Sequence, residues 1–140
     1  MKTITIKDVE YISFRLAEEL LTYDEPIPQF DTRFPNILES CLVTPFQKFS
    51  NISLYPGLIS KASILFYLMI KNHPFQNGNK RIAMTTLLVF LYINKKWIKA
   101  DLQEMYNFAL WIAVSPAQFK DEVVKAIEKF LKSHMINIQT

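Results

Sequence analysis

The chain has 140 residues, half of them hydrophobic and 21% charged, with a formal net charge of +3. This length and composition predict a single folded domain over residues 1–140 and exclude a disordered chain. Two glycines and one cysteine exclude a glycine-rich dinucleotide fingerprint and a disulfide framework, and no Walker A pattern is present.

The predicted elements are helices, because apolar residues recur with helical spacing through most of the chain. The first helix is predicted over Lys7–Leu21, and Pro26 and Pro28 prevent its continuation. Its inward face is predicted to carry Val9, Ile12, Leu16 and Leu20.

Between the second and third predicted helices, over residues 43–56, the pattern fits an irregular loop or a short hairpin. The later helices are predicted over Pro35–Leu42, over Leu58–Asn72, from Asn79, from Asp101 as N-cap, and from Ser115 as N-cap with Pro116 in the first helical position. The inward residues of the fourth helix are predicted to be Ile82, Thr85, Leu88, Val89 and Tyr92. The sequence thus predicts an all-α bundle of about six helices, in which residues 43–56 form either an irregular loop or one short β-hairpin.

Neither a membrane nor a nucleic acid is indicated as a partner. The longest apolar stretches, 64–70 and 87–93, are shorter than the ~18 residues that a membrane span requires. The densest positive run, Lys95-Lys96 with Lys99, is short and better explained as a solvated helix end than as a nucleic-acid surface. We therefore expect a cytoplasmic protein that binds no nucleic acid directly.

A polar run interrupts the apolar pattern between the third and fourth helices and reads NHPFQNGNKR over Asn72–Arg81. The first N–H groups of a helix lack intrahelical acceptors, and the helix dipole places positive charge there. Gly78 permits a tight turn and the close approach of an anion. Lys80 and Arg81 add cations where the dipole disfavours them, so the pattern predicts a bound phosphate.

His73 lies one short loop away from this predicted phosphate site and is a candidate general base. Phe75 is predicted to be a buried residue that fixes the loop. The chain's other histidine, His134, is predicted to be exposed and inert near a frayed C-terminus. Cys41 lies in an apolar stretch and is predicted to be a small core residue.

The run His73–Arg81, HPFQNGNKR, resembles the Fic/Doc signature HxFx(D/E)GN(G/K)R, and in particular its death-on-curing branch, in which lysine replaces the second glycine. Leu54-Tyr55-Pro56 and Lys61-Ala62 look like the usual approach to that motif, so the likeness covers about residues 7–131. The resemblance implies helices around a central motif and transfer of part of a nucleotide, ATP, to a protein hydroxyl.

The resemblance also implies a role for individual residues. His73 would be the base, Phe75 would support the motif, and Asn77 would be a weak candidate ligand for Mg²⁺. The phosphate-binding residues would be Gly78, Asn79, Lys80 and Arg81. A flap that docks the target by strand addition would comprise Gln47, Lys48, Phe49, Ser50, Asn51, Ile52, Ser53, Leu54 and Tyr55.

Two residues depart from the family pattern. Asn77 occupies the position of the acidic residue that helps to hold Mg²⁺, and an amide oxygen ligates a hard cation without adding charge. Met84 occupies the position of a second arginine that grips the nucleotide during AMP transfer. Together with Lys80, Met84 favours phosphate transfer over AMP transfer.

The leading interpretation is therefore a toxin that transfers a phosphate from ATP to a translation elongation factor and stops translation. The first alternative is an AMP transferase, and the second is a catalytically silent interaction protein with this fold. A nucleic-acid-binding module receives little weight. No (S/T)xxxE(G/N) inhibitory helix is present, so the resemblance implies control by a separate small antitoxin that folds on contact.

Overall fold

The computed structural model describes residues 1–20 and 26–138, and these form a helical bundle. The six helices are α1 (the consecutive segments Ile6–Asp8, Val9–Ser13 and Phe14–Glu19), α2 (Pro35–Val43), α3 (Gly57–Lys71), α4 (Asn79–Ile93), α5 (Leu102–Val114) and α6 (Lys120–His134). Two antiparallel pairs join β1 (Lys48–Phe49) to β2 (Ile52–Ser53) and β3 (Lys96–Ile98) to β4 (Met135–Asn137). The predicted helical bundle and the predicted short hairpin are both confirmed. None of the helices in the described ranges is long and apolar enough to cross a membrane.

Helices α3 and α4 form the centre of the core. Residues 61–70 of α3 and 81–91 of α4 are all buried, and the two helices pack against each other. Helices α2, α5 and α6 pack on α3, while α1 and α5 pack on α4. The polar run therefore connects the two most buried helices and lies at one end of the core.

Helix α1 begins with a capping box, in which the side chains of Thr5 and Asp8 each accept a hydrogen bond from the other's backbone N–H. Its middle segment, Val9–Ser13, is a π-turn, which places one extra residue in the turn. The buried face is thereby shifted to Ser13 and Phe14, and Ile12 is 44% exposed. The prediction that Ile12 faces inward was wrong for this reason. The predicted last residue, Leu21, lies outside the described residues.

The starts of the last two helices were predicted with different success. Asp101 caps α5 as expected, because its Oδ1 accepts a hydrogen bond from the backbone N–H of Glu104 at 2.7 Å. Ser115 does not cap α6. Its hydroxyl donates to the carbonyl of Ile112 at 2.6 Å, and Pro116 is extended. A 3₁₀ turn over Ala117–Phe119 follows before α6 begins, so the predicted N-cap was wrong.

The pair of β3 and β4 was not predicted, and it corrects two expectations. His134 is not part of a frayed end: its ring stacks on Phe130 at 4.2 Å, and its Nε2 lies 3.4 Å from a carboxylate oxygen of Glu104. Tyr92 does not face inward but is 61% exposed and packs edge to face on Trp97 of β3. The ring of Tyr92 meets Trp97 across the turn into β3, and His134 meets Glu104, which is distant in sequence; helical spacing reports neither contact.

Cys41 is fully buried in α2, as predicted. Burial raises the pKa of its thiol to about 12, and hydrogen bonding to the backbone lowers it only in part. The thiol therefore stays protonated at neutral pH and has little nucleophilic character. Cys41 contributes packing and no chemistry.

Candidate functional site

The loop between α3 and α4 alternates exposed and buried side chains. Asn72, His73, Gln76 and Asn77 are exposed, while Pro74, Phe75, Gly78 and Asn79 are buried. The buried residues attach the loop to the core, and the exposed ones present an imidazole and amides to solvent.

Phe75 attaches this loop to the core. It is 1% exposed, and its ring centroid lies 5.5 Å from that of Phe14 in α1 and 6.0 Å from that of Phe30. Phe14 and Phe30 are themselves packed edge to face at 5.4 Å. Such aromatic contacts add stabilisation beyond the burial of apolar surface. The position of His73, two residues before Phe75, therefore depends on a cluster that reaches α1.

The side chain of Asn79 closes the loop on itself. Its Oδ1 accepts a hydrogen bond from the backbone N–H of Phe75 at 3.0 Å, and its Nδ2 donates to the carbonyl of Phe75 at 2.9 Å. The same Nδ2 lies 3.4 Å from Nδ1 of His73. An amide nitrogen only donates, so this long contact is a hydrogen bond only in the tautomer that carries its proton on Nε2. The phosphate-binding role of Asn79 stays a prediction.

The backbone at His73 is left-handed, with φ of 49°. This conformation costs about 1–2 kcal/mol for a residue with a Cβ, and such strain is concentrated at functional sites. The surroundings hold it in place. The N–H of Phe34 donates to the carbonyl of Pro74 at 2.9 Å, and Nζ of Lys71 donates to the carbonyls of Ala113 at 3.2 Å and Ser115 at 2.5 Å.

Gly78 is the N-cap of α4, and its carbonyl accepts the first intrahelical hydrogen bond, from the N–H of Ile82 at 2.9 Å. Its φ is 73°, which glycine adopts without steric cost. A Cβ at this position would lie 2.6 Å from Cδ1 of Ile27. The side of the turn that faces Ile27 is therefore covered by the chain.

Replacing Gly78 by alanine is expected to destabilise the fold by about 1–2 kcal/mol through its left-handed backbone, plus the displacement of Ile27. The matched control is Gly57→Ala, because Gly57 has φ of 79° and no atom within 4 Å of a built Cβ. Urea unfolding of both variants separates the two effects. Equal losses of unfolding free energy would show that the side chain of Ile27 moves aside without destabilising the fold.

Arg81 is 3% exposed and directed toward α1. Its Nε donates to the carbonyl of Leu20 at 3.0 Å, and its Nη2 donates to the carbonyl of Ala17. These are among the last carbonyls of a helix, which carry partial negative charge and favour a cation. The guanidinium therefore stabilises the end of α1, and its predicted contact with phosphate stays a prediction.

The predicted flap contains the hairpin of β1 and β2. Ser50 and Asn51 form its turn with φ of 51° and 64°, the conformation of a two-residue hairpin turn that asparagine tolerates. Its large apolar side chains are unusually open to solvent: Phe49 is 74%, Ile52 71% and Leu54 51% exposed. The role of the flap in docking a target stays a prediction.

These features can be set beside known proteins. A model of the Fic/DOC family matches residues 3–91, more than half of the chain. The chain belongs to the Fic/DOC family. A relative, the Toxin Doc of Mycolicibacterium smegmatis, is 32% identical over 65 residues, which cover 46% of this chain and 50% of that protein. The chain thus spans about half the length of this curated relative. No solved structure matches this chain.

Two positions at which the chain departs from the Fic/DOC pattern can be placed in the structure. Met84 is 1% exposed, so its side chain belongs to the core. Asn77 is exposed, and no group of three or more His, Cys, Asp or Glu side chains in the described ranges is placed to hold a metal ion. One neutral amide oxygen does not make a protein site for Mg²⁺, which favours carboxylates.

Several residues that shape this Fic/DOC site were not singled out for a role in the sequence. Phe14 and Phe30 support Phe75, Lys71 braces the loop, and Lys61 contacts the flap. The two lysines bound a run of apolar residues in α3, and a lysine beside such a run is the signal that could have identified them. The partners of Lys71, Ala113 and Ser115, lie far away in sequence and could not be predicted.

Proposed function

We propose that this protein is a Doc-like toxin that transfers a phosphate from ATP to a hydroxyl of a translation elongation factor and so blocks translation. Membership of the Fic/DOC family and the likeness to a protein named Toxin Doc support this proposal. The observation that carries it is the exposed imidazole of His73, held in a strained loop directly before the N-terminus of α4.

In this proposal His73 takes the proton from the attacking hydroxyl. A ring nitrogen must then be unprotonated and accessible. If the 3.4 Å contact between Nδ1 of His73 and Asn79 is released, the ring can turn so that Nδ1 is accessible. In the other tautomer the proton is on Nδ1, and Nε2 is the unprotonated nitrogen. The contact is long, so either change costs little compared with an ideal hydrogen bond.

The phosphates of ATP would lie at the first turn of α4. Its backbone N–H groups and the helix dipole favour an anion there. Lys80 is half-buried in that turn and adds a positive charge. Met84 is uncharged and buried, so that position provides no second cation to grip the nucleotide. This combination favours transfer of the terminal phosphate over transfer of AMP.

Mg²⁺ would arrive with ATP as part of the substrate, coordinated by phosphate oxygens and water. Asn77 provides no charge to hold it independently. The chain's own contribution to the reaction is then His73, Lys80 and the first turn of α4.

The direct test uses ATP labelled at either the α- or the γ-phosphate, with the purified protein, Mg²⁺ and a bacterial translation extract. Label that reaches a protein only from the γ-position supports the proposal. Label from the α-position would identify an AMP transferase. Absence of label from both positions, with purified elongation factor added, would contradict both enzyme functions.

Asn77→Asp is expected to lower the Mg²⁺ concentration that gives half-maximal transfer by about tenfold, because a carboxylate adds charge to the ligands of the ion. The measurement is the transfer rate as a function of Mg²⁺ at fixed ATP. Asn72→Asp is the matched control, since it adds the same charge at another exposed position of the loop. An unchanged Mg²⁺ dependence in Asn77→Asp would show that this position does not contact the ion.

A catalytically silent interaction protein is the second candidate function, and the chemistry of two residues favours it. Asn77 removes the acidic ligand of the family pattern, and Arg81 bonds to the carbonyls of Ala17 and Leu20. In either case the regulator we propose is a separate small antitoxin. The silent protein would bind such a partner and transfer no label.

A further inference from the structure

Lys61 lies at the base of the flap with little exposure to solvent. It is a residue of α3 and is 9% exposed. Its Nζ donates to Oγ of Ser53 at 3.0 Å and to the carbonyl of Tyr55. Ser53 ends β2, so these bonds attach the C-terminal end of the hairpin to α3.

The same ammonium group contacts the segment that leads into the hairpin. It lies 5.7 Å from the ring centroid of Phe46, the last residue of the 3₁₀ turn before β1. Phe46 is itself fixed, because its ring packs edge to face on Phe90 of α4 at 5.9 Å. Lys61 therefore joins both ends of the flap to the core.

The hairpin needs such an attachment. Its strands have two residues each, and its apolar side chains Phe49 and Ile52 are more than 70% exposed, so it gains little from burial. An isolated two-stranded hairpin is at best marginally stable in water. Its order and orientation therefore depend on the contacts at its base.

A lysine is also a costly residue to place there. These contacts of its ammonium group are to a hydroxyl, a carbonyl and an aromatic ring, all of them neutral. Removing a charge from water is expensive without an opposite charge, and an apolar residue of similar length would fill the space at lower cost. The core gains no evident advantage from this lysine, whereas the flap gains two hydrogen bonds and the residue before it, Phe46, gains a third contact.

We infer that Lys61 is a positioning residue that fixes the flap in the orientation needed to dock the target protein. The docking role of the flap rests on the proposed function, whereas the attachment of the flap by Lys61 does not. The two parts are tested by separate measurements.

The first measurement is hydrogen exchange of residues 47–55 in the purified protein. The amide of Leu54, which donates to the carbonyl of Gln47 at 3.1 Å, is the best reporter. In Lys61→Met, exchange there is expected to accelerate by about tenfold, the effect of losing one charge-assisted hydrogen bond. The control Lys125→Met, at an exposed position of α6, should leave it unchanged. Equal exchange in Lys61→Met and wild type would overturn the inference.

The second measurement is target phosphorylation. Lys61→Met is expected to raise the KM for the target protein about tenfold and to change kcat by less than about threefold, since docking and not chemistry is affected. Lys61→Arg, which keeps a cationic donor, should restore part of the affinity. A fall in kcat at unchanged KM would overturn the docking role. If wild type transfers no phosphate, the proposed function fails while the exchange result still decides whether Lys61 holds the flap.

Ser53→Ala provides an independent variant in case Lys61→Met does not fold. It removes one acceptor of the ammonium group and leaves the charge and the core intact. A smaller acceleration of exchange at Leu54 is expected. Combined with Lys61→Met it should add nothing, because both changes remove the same contact. Additive effects would show that the two residues act separately.

Discussion

His73→Ala is expected to lower the rate of phosphate transfer by about 10²–10⁴-fold, the usual contribution of a general base. The physical reason is the loss of the one exposed imidazole that the loop presents beside α4. The measurement is the single-turnover rate with γ-labelled ATP and elongation factor, both saturating, so that altered binding does not mask the chemical step.

The control for this loss is His134→Gln, at the chain's other histidine, which contacts Phe130 and Glu104. It should transfer phosphate at the wild-type rate. Misfolding is tested with His73→Gly, which should be more stable than His73→Ala by about 1 kcal/mol because φ of 49° suits glycine. Transfer by His73→Ala at the wild-type rate would show that another group takes the proton.

Phe75→Ala is expected to destabilise the fold by about 3–5 kcal/mol, as deletion of a buried phenyl ring does. Phe75 is 1% exposed and loses its contacts with Phe14 and Phe30 in this variant. The loss is a large share of the ~5–15 kcal/mol that a domain of this kind possesses. Urea unfolding followed by circular dichroism gives the change in the free energy of unfolding.

Two further variants make this result specific. Phe49→Ala deletes the same ring at a position that is 74% exposed, and it should change the unfolding free energy by less than about 0.5 kcal/mol. Phe75→Leu keeps most of the buried volume and should fall between the two. A loss below 1 kcal/mol in Phe75→Ala would show that the loop is held by its hydrogen bonds and not by this ring.

The sequence predicted the helices and the loop that carries the motif because both leave local marks. Helical spacing located α3 and α4, and the polar run between them located the loop. The shifted face of α1 could not be foreseen, since the extra residue of the π-turn leaves no trace in the apolar pattern. The role of Ser115 could not be foreseen either, because its hydroxyl could cap either the helix before it or the helix after it.

Contacts between distant segments were the other part that the sequence did not reveal. Strand β3 pairs with β4, about forty residues later, and Lys71 bonds to the carbonyl of Ser115. The signature predicts Arg81 as a phosphate ligand, which stays a prediction, and it gave no sign that Arg81 also bonds to α1. A side chain's partner is decided by tertiary packing, which a one-dimensional pattern does not encode.

The left-handed backbone at His73 bears on how members of this family can be told apart from inactive descendants. Phe75, Asn79 and Arg81 all contribute to folding, so a protein that had lost its chemistry would still be selected to keep them. His73 is different, because a side chain at its position is a burden that glycine would remove. We therefore expect relatives that have lost the transfer reaction to carry glycine at this position more often than relatives that retain it.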